Sequence, residues 1–235
     1  MKNVFTFLLL LFSLLCNGQS PKLFTTDKEL SSSLINQIYQ DRNGFIWIAT
    51  EDGLNRYDGA KFTIYKHEPN NEHSLAHNFV RTVFEDSKGH LLIGTYIGIQ
   101  MYDPATDNFT PLAKLEDTGE TLESNINSFI ERKNGEIWVS GNVLCKLDIK
   151  DHLLTVRKVD IAVTSPGSLF EDKKQNVWMA KGEEGVYQLT PDNQLTLHLS
   201  KDNGYVKSIC EDQRGNIYVG SIRKGLWRRI PGEKR

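Results

Sequence analysis

One segment recurs five times along this chain, and no other feature restricts the fold as tightly. The copies are IYQDRNGFIWI at 38–48, VFEDSKGHLLI at 83–93, FIERKNGEIWV at 129–139, LFEDKKQNVWM at 169–179 and ICEDQRGNIYV at 209–219. The position after the turn is glycine at 44, 89, 135 and 215 and Gln175 in the fourth copy, which gives spacings of 45, 46, 40 and 40 residues. That period is the length of a four-stranded propeller blade, and each copy is one unit unable to bury its apolar faces alone.

Each unit reads as a meander of strands. Asp-x-x-Gly suits a tight hairpin, because Asp in the first position accepts nearby backbone N–H groups and Gly takes the positive φ that ends the turn. The strand that follows, Phe45-Ile46-Trp47-Ile48-Ala49 in the first unit, is apolar at successive positions, so both of its faces must be covered. A sheet packed between two neighbours meets that condition. A second glycine opens a third strand at Gly53, Gly98, Gly185 and Gly225. The third unit departs from this pattern at Ser140-Gly141-Asn142-Val143. Outer, fourth strands are read at 61–65, 108–112 and 194–199, with Pro111 tolerated as an edge residue.

The expected fold is therefore all-β: a β-propeller of five four-stranded antiparallel blades, at about 34–74, 79–118, 125–160, 166–201 and 205–230. Trp47, Trp138 and Trp178, varied as Leu92 and Tyr218, could stack on sugar rings but are read as packing between blades. The fifth unit ends without a fourth strand, and the strand-like stretch Lys22-Leu23-Phe24-Thr25-Thr26 could complete it. The alternative, favoured here, is an incomplete ring. An open arc would expose an apolar blade at each end and self-associate or pair with another chain through its edges.

Residues 1–18 read as a signal peptide, with Lys2 followed by an apolar run from Val4 to Leu15. Twelve residues are too few for a span that needs about 20. Lipidation of Cys16 is the competing reading, disfavoured by the bulk of Leu15. No later run is long enough to cross a membrane, so residues 19–235 are expected to be periplasmic or extracellular repeats. The remaining cysteines, Cys145 and Cys210, are expected to be buried thiols. A charge of −2, with 25% charged residues, lacks the basic excess that nucleic acid requires.

The run from Asn36 to Thr50, with Gly53-Leu54-Asn55-Arg56-Tyr57-Asp58-Gly59 after it, closely resembles the two-component regulator propeller repeat. This resemblance covers about residues 21–230. It implies the periplasmic sensor region of a hybrid two-component sensor, in which pairs of seven-bladed propellers precede a membrane helix and a histidine kinase. It further implies oligosaccharide ligands and control of polysaccharide utilisation. On this view the chain is an incomplete, N-terminal portion of a seven-bladed ring, carrying no kinase of its own.

No nucleotide-binding, metalloprotease or hydrolase motif occurs, and the six histidines lack metal-ligand spacing, so no catalytic residue, metal or cofactor is expected. Propellers bind where loops converge on the central channel. The candidate ligand-binding residues are polar positions between the second and third strands: Glu51, Asp52, Tyr96, Asn142, Lys181, Glu183, Arg223 and Lys224. Their mixed charge suits a neutral or polar sugar. An interaction scaffold and a propeller lyase or glycosidase are the competing functions; the latter would need paired carboxylates at the channel mouth.

Overall fold

The computed structural model describes residues 21–200 and 205–229; the proposed signal peptide lies outside them. Every regular element among the described residues is a strand. The first sheet holds β1 (Ile35–Gln40), β2 (Ile46–Thr50), β3 (Gly53–Tyr57) and β4 (Phe62–Tyr65) in that order, and the second β5 (Val80–Glu85), β6 (Leu91–Thr95), β7 (Ile99–Asp103) and β8 (Asn108–Phe109). β9 (Lys114–Leu115) crosses to the third sheet, which is built from β10 (Ser128–Glu131), β11 (Ile137–Ser140), β12 (Leu144–Lys150) and β13 (Leu153–Lys158). The fourth holds β14 (Leu169–Glu171), β15 (Val177–Lys181), β16 (Gly185–Leu189) and β17 (Leu195–Ser200), and the fifth β18 (Tyr205–Glu211), β19 (Ile217–Ile222) and β20 (Gly225–Arg229).

The meanders are those expected, but two sheets do not have four strands. The third gains β9, which runs parallel to β13 with Thr155 opposite Lys114. The fifth has three strands among the described residues. The fourth strand of the second unit is also shorter than the 108–112 expected from sequence. Thr110 and Ala113 still donate to Met101 and Ile99 of β7, yet Pro111 between them has no N–H and breaks the ladder. Nor does 22–26 form a strand. Phe24 instead packs its ring on Tyr57 and Phe62 of the first sheet, with centroids 5.3 and 5.0 Å away.

The turn aspartate has two roles. In the first unit Asp41 Oδ1 accepts the N–H groups of Asn43 and Phe45 at 3.0 and 2.9 Å, while Oδ2 accepts the Trp47 indole N–H at 2.8 Å. Asp172 repeats both, towards Lys174, Asn176 and Trp178. Asp86 turns the same carboxylate edge to His90, and Asp212 to Tyr218. One carboxylate thus closes the hairpin and satisfies the polar atom of an otherwise buried aromatic. In the third unit Arg132 replaces Asp. There Asn134 accepts the Glu136 N–H, and the Trp138 indole donates to the Glu136 carboxylate at 3.0 Å. Burial alone would raise the Glu136 carboxyl, but hydrogen bonds from Lys146, Trp138 and Asn134 outweigh it and bring it to about 2. Gln175, in the glycine position, takes φ +66°.

Four apolar clusters lie between the five sheets, one per interface. Trp47, Leu54 and Val83 fill the first, Leu92, Phe129 and Val139 the second. Trp138, Leu144 and Met179 fill the third, Trp178, Val186 and Val219 the fourth. The recurring tryptophans are therefore core residues. Each buries about 150–250 Å², an upper bound of roughly 4–6 kcal/mol.

A polar strut repeats beside each apolar cluster. The glutamate preceding the turn position of one unit accepts the N–H of the second turn residue of the unit before. Glu85 takes Arg42 at 2.8 Å, Glu131 takes Ser87 at 2.7 Å, Glu171 takes Lys133 at 2.7 Å and Glu211 takes Lys173 at 2.9 Å. Arg42 and Arg132 add ion pairs to the same glutamates.

Ile38 is 62% exposed, although its counterparts Val83, Phe129 and Leu169 are buried against the preceding sheet. Leu226 is 70% exposed where Leu54, Ile99 and Val186 are buried against the following one. The same cause corrects one expectation from sequence. Cys145 is buried, which pushes its thiol up to about 11, but Cys210 is exposed. Cys210 occupies the repeat position of Phe84, Ile130 and Phe170, which pack on the following sheet; no described sheet follows the fifth.

Candidate functional site

Register places the start of each first strand and the hairpin between the second and third strands at one end of the sheets. Ile35 pairs with Thr50, which pairs with Gly53; Val80 pairs with Thr95, Ser128 with Ser140 and Tyr205 with Ile222. The first strands of successive sheets lie against one another, so they form the innermost layer. A cavity of about 620 Å³ opens at that end, and all five units contribute to it.

The inner contribution follows the repeat. Counting five residues back from the turn position at 41, 86, 132, 172 and 212 gives Asn36, Arg81, Asn127, Gly167 and Lys207, and all five line this cavity. The side chains before the apolar strand tie neighbouring units together. Asn36 donates to the Val80 carbonyl at 2.7 Å, Asn127 to Pro166 at 3.0 Å and Ser168 to Lys207 at 2.6 Å. Gln37 accepts the Val83 N–H at 2.7 Å. The fourth sheet adds its β15–β16 hairpin, with Lys181 ion-paired to Glu184 at 2.7 Å and Glu183 exposed beside them. Gly182 takes φ +45°, and a Cβ there would sit 3.2 Å from the ring of Tyr205, which lines the same wall.

Of the residues proposed from sequence, Lys181 and Glu183 line this cavity; the other six are distributed around the same end of the sheets. Glu51 donates its N–H to the Leu34 carbonyl. Asp52 is held by Lys66 at 2.6 Å and Asn78 at 3.0 Å, which anchors the segment linking the first two sheets. Tyr96 is exposed with its ring 5.6 Å from His77 and 6.1 Å from Phe79. Asn142 lines a separate cavity of about 660 Å³ with Glu123 and Lys158, and its carbonyl accepts the Ser165 N–H. Arg223, at φ +73°, and Lys224 are exposed in the β19–β20 hairpin. Sequence reasoning that looked only at the hairpins passed over Asn36, Arg81, Asn127 and Lys207. Their signal was available: a polar residue, or glycine, five positions before every turn.

The family described as two component regulator propeller matches residues 29–52, 74–96 and 200–223. Histidine kinase P4 of Formosa agariphila is 37% identical over 83 residues, a stretch covering 32% of this chain and 6% of that protein. Among solved structures, the extracellular domain assigned to a hybrid two component system of B. thetaiotaomicron aligns over 92% of this chain and 32% of its own, with a TM-score of 0.73 and 20% identity. A virginiamycin B lyase from Staphylococcus aureus aligns over 92% of this chain and 74% of its own, with a TM-score of 0.62 and 13% identity. At such identities the structural likeness speaks to the fold alone, which is a β-propeller. This chain spans about a third of the first of these structures and a small part of the kinase. The matched segments lie in the first, second and fifth units, each of which carries a stretch similar to the two component regulator propeller repeat.

Proposed function

We propose that this chain is the periplasmic or extracellular ligand-sensing segment of a hybrid two-component sensor, responding to oligosaccharides in the control of polysaccharide utilisation. The chain's own part is recognition, without kinase activity. One observation carries the reading: every unit contributes a residue at a single repeat position, in or just before its first strand, to one open, polar cavity of about 620 Å³. A cavity of this size, lined by convergent polar groups and one exposed tyrosine face, has the character of a small-molecule site. The match to the regulator repeat and the likeness to a hybrid-system extracellular domain support a sensory context. No helix among the described residues is long and apolar enough to cross a membrane.

The test is calorimetric titration of the chain with a panel of neutral and acidic oligosaccharides, with product analysis on the same samples. Saturable binding of at least one glycan without turnover is expected. Release of a cleaved product would move the assignment to the lyase or glycosidase class.

A scaffold role has one specific observation in its favour. Ile38 and Leu226 present on the surface the residues that form the sheet-to-sheet contacts elsewhere in the molecule. Under that reading the chain associates through these faces, and sedimentation would show concentration-dependent assembly that Leu226→Ser abolishes.

A further inference from the structure

The position five residues before the turn is set apart by backbone geometry as well as by sequence. In the first, second and fifth sheets the ladder between first and second strands shifts register there. The pairing passes from Ile35 to Gln37, from Val80 to Thr82 and from Val206 to Ser208. The bulged residues are Asn36, Arg81 and Lys207, and all three line the one cavity. A bulge leaves its extra residue out of the pairing and re-aims its side chain, and such features are enriched beside binding sites. All three line one space; Asn36 is already bonded to the Val80 carbonyl, which leaves Arg81 and Lys207 as the members without such a tie among the described residues.

Two of the three are cations. Neither Arg81 nor Lys207 has an ion-pair partner among the described residues. Each lies near an aromatic ring instead, Arg81 at 6.0 Å from the Phe79 centroid and Lys207 at 5.4 Å from that of Tyr205. Lys181, the third cation of the cavity, is already paired with Glu184. With Glu183 as the remaining acid, one positive charge is left uncompensated. Both bulges are also pinned by the preceding sheet: Asn36 and Gln37 bond the backbone on either side of Arg81, and Ser168 bonds the carbonyl of Lys207. A backbone fixed before a ligand arrives leaves only the side chains to be ordered on binding, and an arginine fork matches a carboxylate or sulfate in two parallel hydrogen bonds.

The geometry points to an anion site at the channel mouth, where Arg81 and Lys207 receive the carboxylate or sulfate ester of an acidic oligosaccharide whose sugar ring lies on Tyr205. This deepens the sensing role proposed above and rests on it, and it differs from the neutral or polar sugar expected from sequence.

Three probes test it by calorimetry on the full chain at low and high sodium chloride: tetragalacturonate for the carboxylate, a sulfated galactan tetrasaccharide for the sulfate ester, and cellotetraose as the neutral control. One acidic probe is expected to bind more tightly than cellotetraose and to weaken as salt rises. Arg81→Gln and Lys207→Gln are each expected to lower its affinity by about tenfold or more. Arg81→Lys should retain more binding than Arg81→Gln, and Lys150→Gln, on an exposed strand end away from the cavity, should leave affinity unchanged. The two cations sit on different sheets, so if one glutamine variant fails to fold the other carries the test. Cellotetraose binding as tightly as the acidic probes, indifferent to salt and to both glutamine variants, would overturn the anion site and leave the sensing role standing. Absence of binding by all three probes, and by the wider panel, would remove both.

Discussion

Asp172 offers the sharpest test of how each unit is held. Its carboxylate is buried at 4% exposure and accepts four hydrogen bonds: Lys174 N–H and Asn176 N–H at 2.9 Å on Oδ1, and Asn176 Nδ2 and Trp178 Nε1 at 2.8 Å on Oδ2. Asp172→Asn keeps size and shape but turns one oxygen into an NH2 group. If the remaining oxygen keeps the turn, that NH2 faces two donors, and two charge-assisted bonds are lost. Bonds to a charged group contribute about 1.5–3 kcal/mol each, so the variant should lose about 3–6 kcal/mol. For a domain of this size that is a drop in Tm of at least about 6 °C. The assay is calorimetric melting of wild type, Asp172→Asn, Trp178→Phe and the double variant. Because Phe removes one of the opposed donors, Trp178→Phe should cost at least about 1 kcal/mol less in the Asn background than alone. A single variant within about 0.5 kcal/mol of wild type would show that the carboxylate is not what joins turn and tryptophan. Asp212, in a more exposed copy of the turn, should be the more tolerant site.

Trp138→Ala should lower the unfolding free energy by about 3–5 kcal/mol in urea melts while changing glycan affinity little; equal effects on both would refute its core role. The Glu136 carboxyl, at about 2 against a usual 4.5, contributes stability that is present above pH 4.5 and lost as pH falls towards 2, so the Tm advantage of wild type over Glu136→Gln should shrink across that window in pH-dependent melts. Gly185→Ala would place a Cβ 1.7 Å from the Leu199 carbonyl at φ +126°, and should destabilise by about 2 kcal/mol or more in urea unfolding. Gln175→Gly, at φ +66°, should raise the urea midpoint by about 0.5–1 kcal/mol equivalent; a fall would argue that Gln175 makes a contact beyond its turn.

Much of the fold could be read from residues whose roles are local. Asp-x-x-Gly gave the hairpin because both its hydrogen bonds and its positive φ are properties of four consecutive residues. The doubly apolar strand at 45–49, taken with the blade-length repeat, pointed to stacked sheets because both of its faces need cover. What escaped notice depends on partners in the next unit. Glu85, Glu131, Glu171 and Glu211 look like ordinary acidic strand ends until the preceding turn is placed against them. The bulges at Asn36, Arg81 and Lys207 are shifts between two strands, invisible to a pattern read along one. Cys210 was misjudged because its burial depends on a following sheet. Of the candidate residues taken from the hairpins, Lys181 and Glu183 line the cavity, whereas Asn36, Arg81, Asn127 and Lys207 line it without having been among them.

The glutamate strut bears on how the chain tolerates change. Because the turn of each unit is fastened directly to the next, the angular step around the axis does not depend on the peptide connecting them. Segments 66–79 and 110–127 bridge neighbouring sheets with different lengths and conformations, yet the struts on either side of the second sheet are alike to within 0.1 Å. Connector length is thereby released from the geometry of the core. Extra residues spliced into the exposed loop at 116–120 would be carried outward as decoration, making that loop a practical place for a reporter peptide or a grafted binding segment.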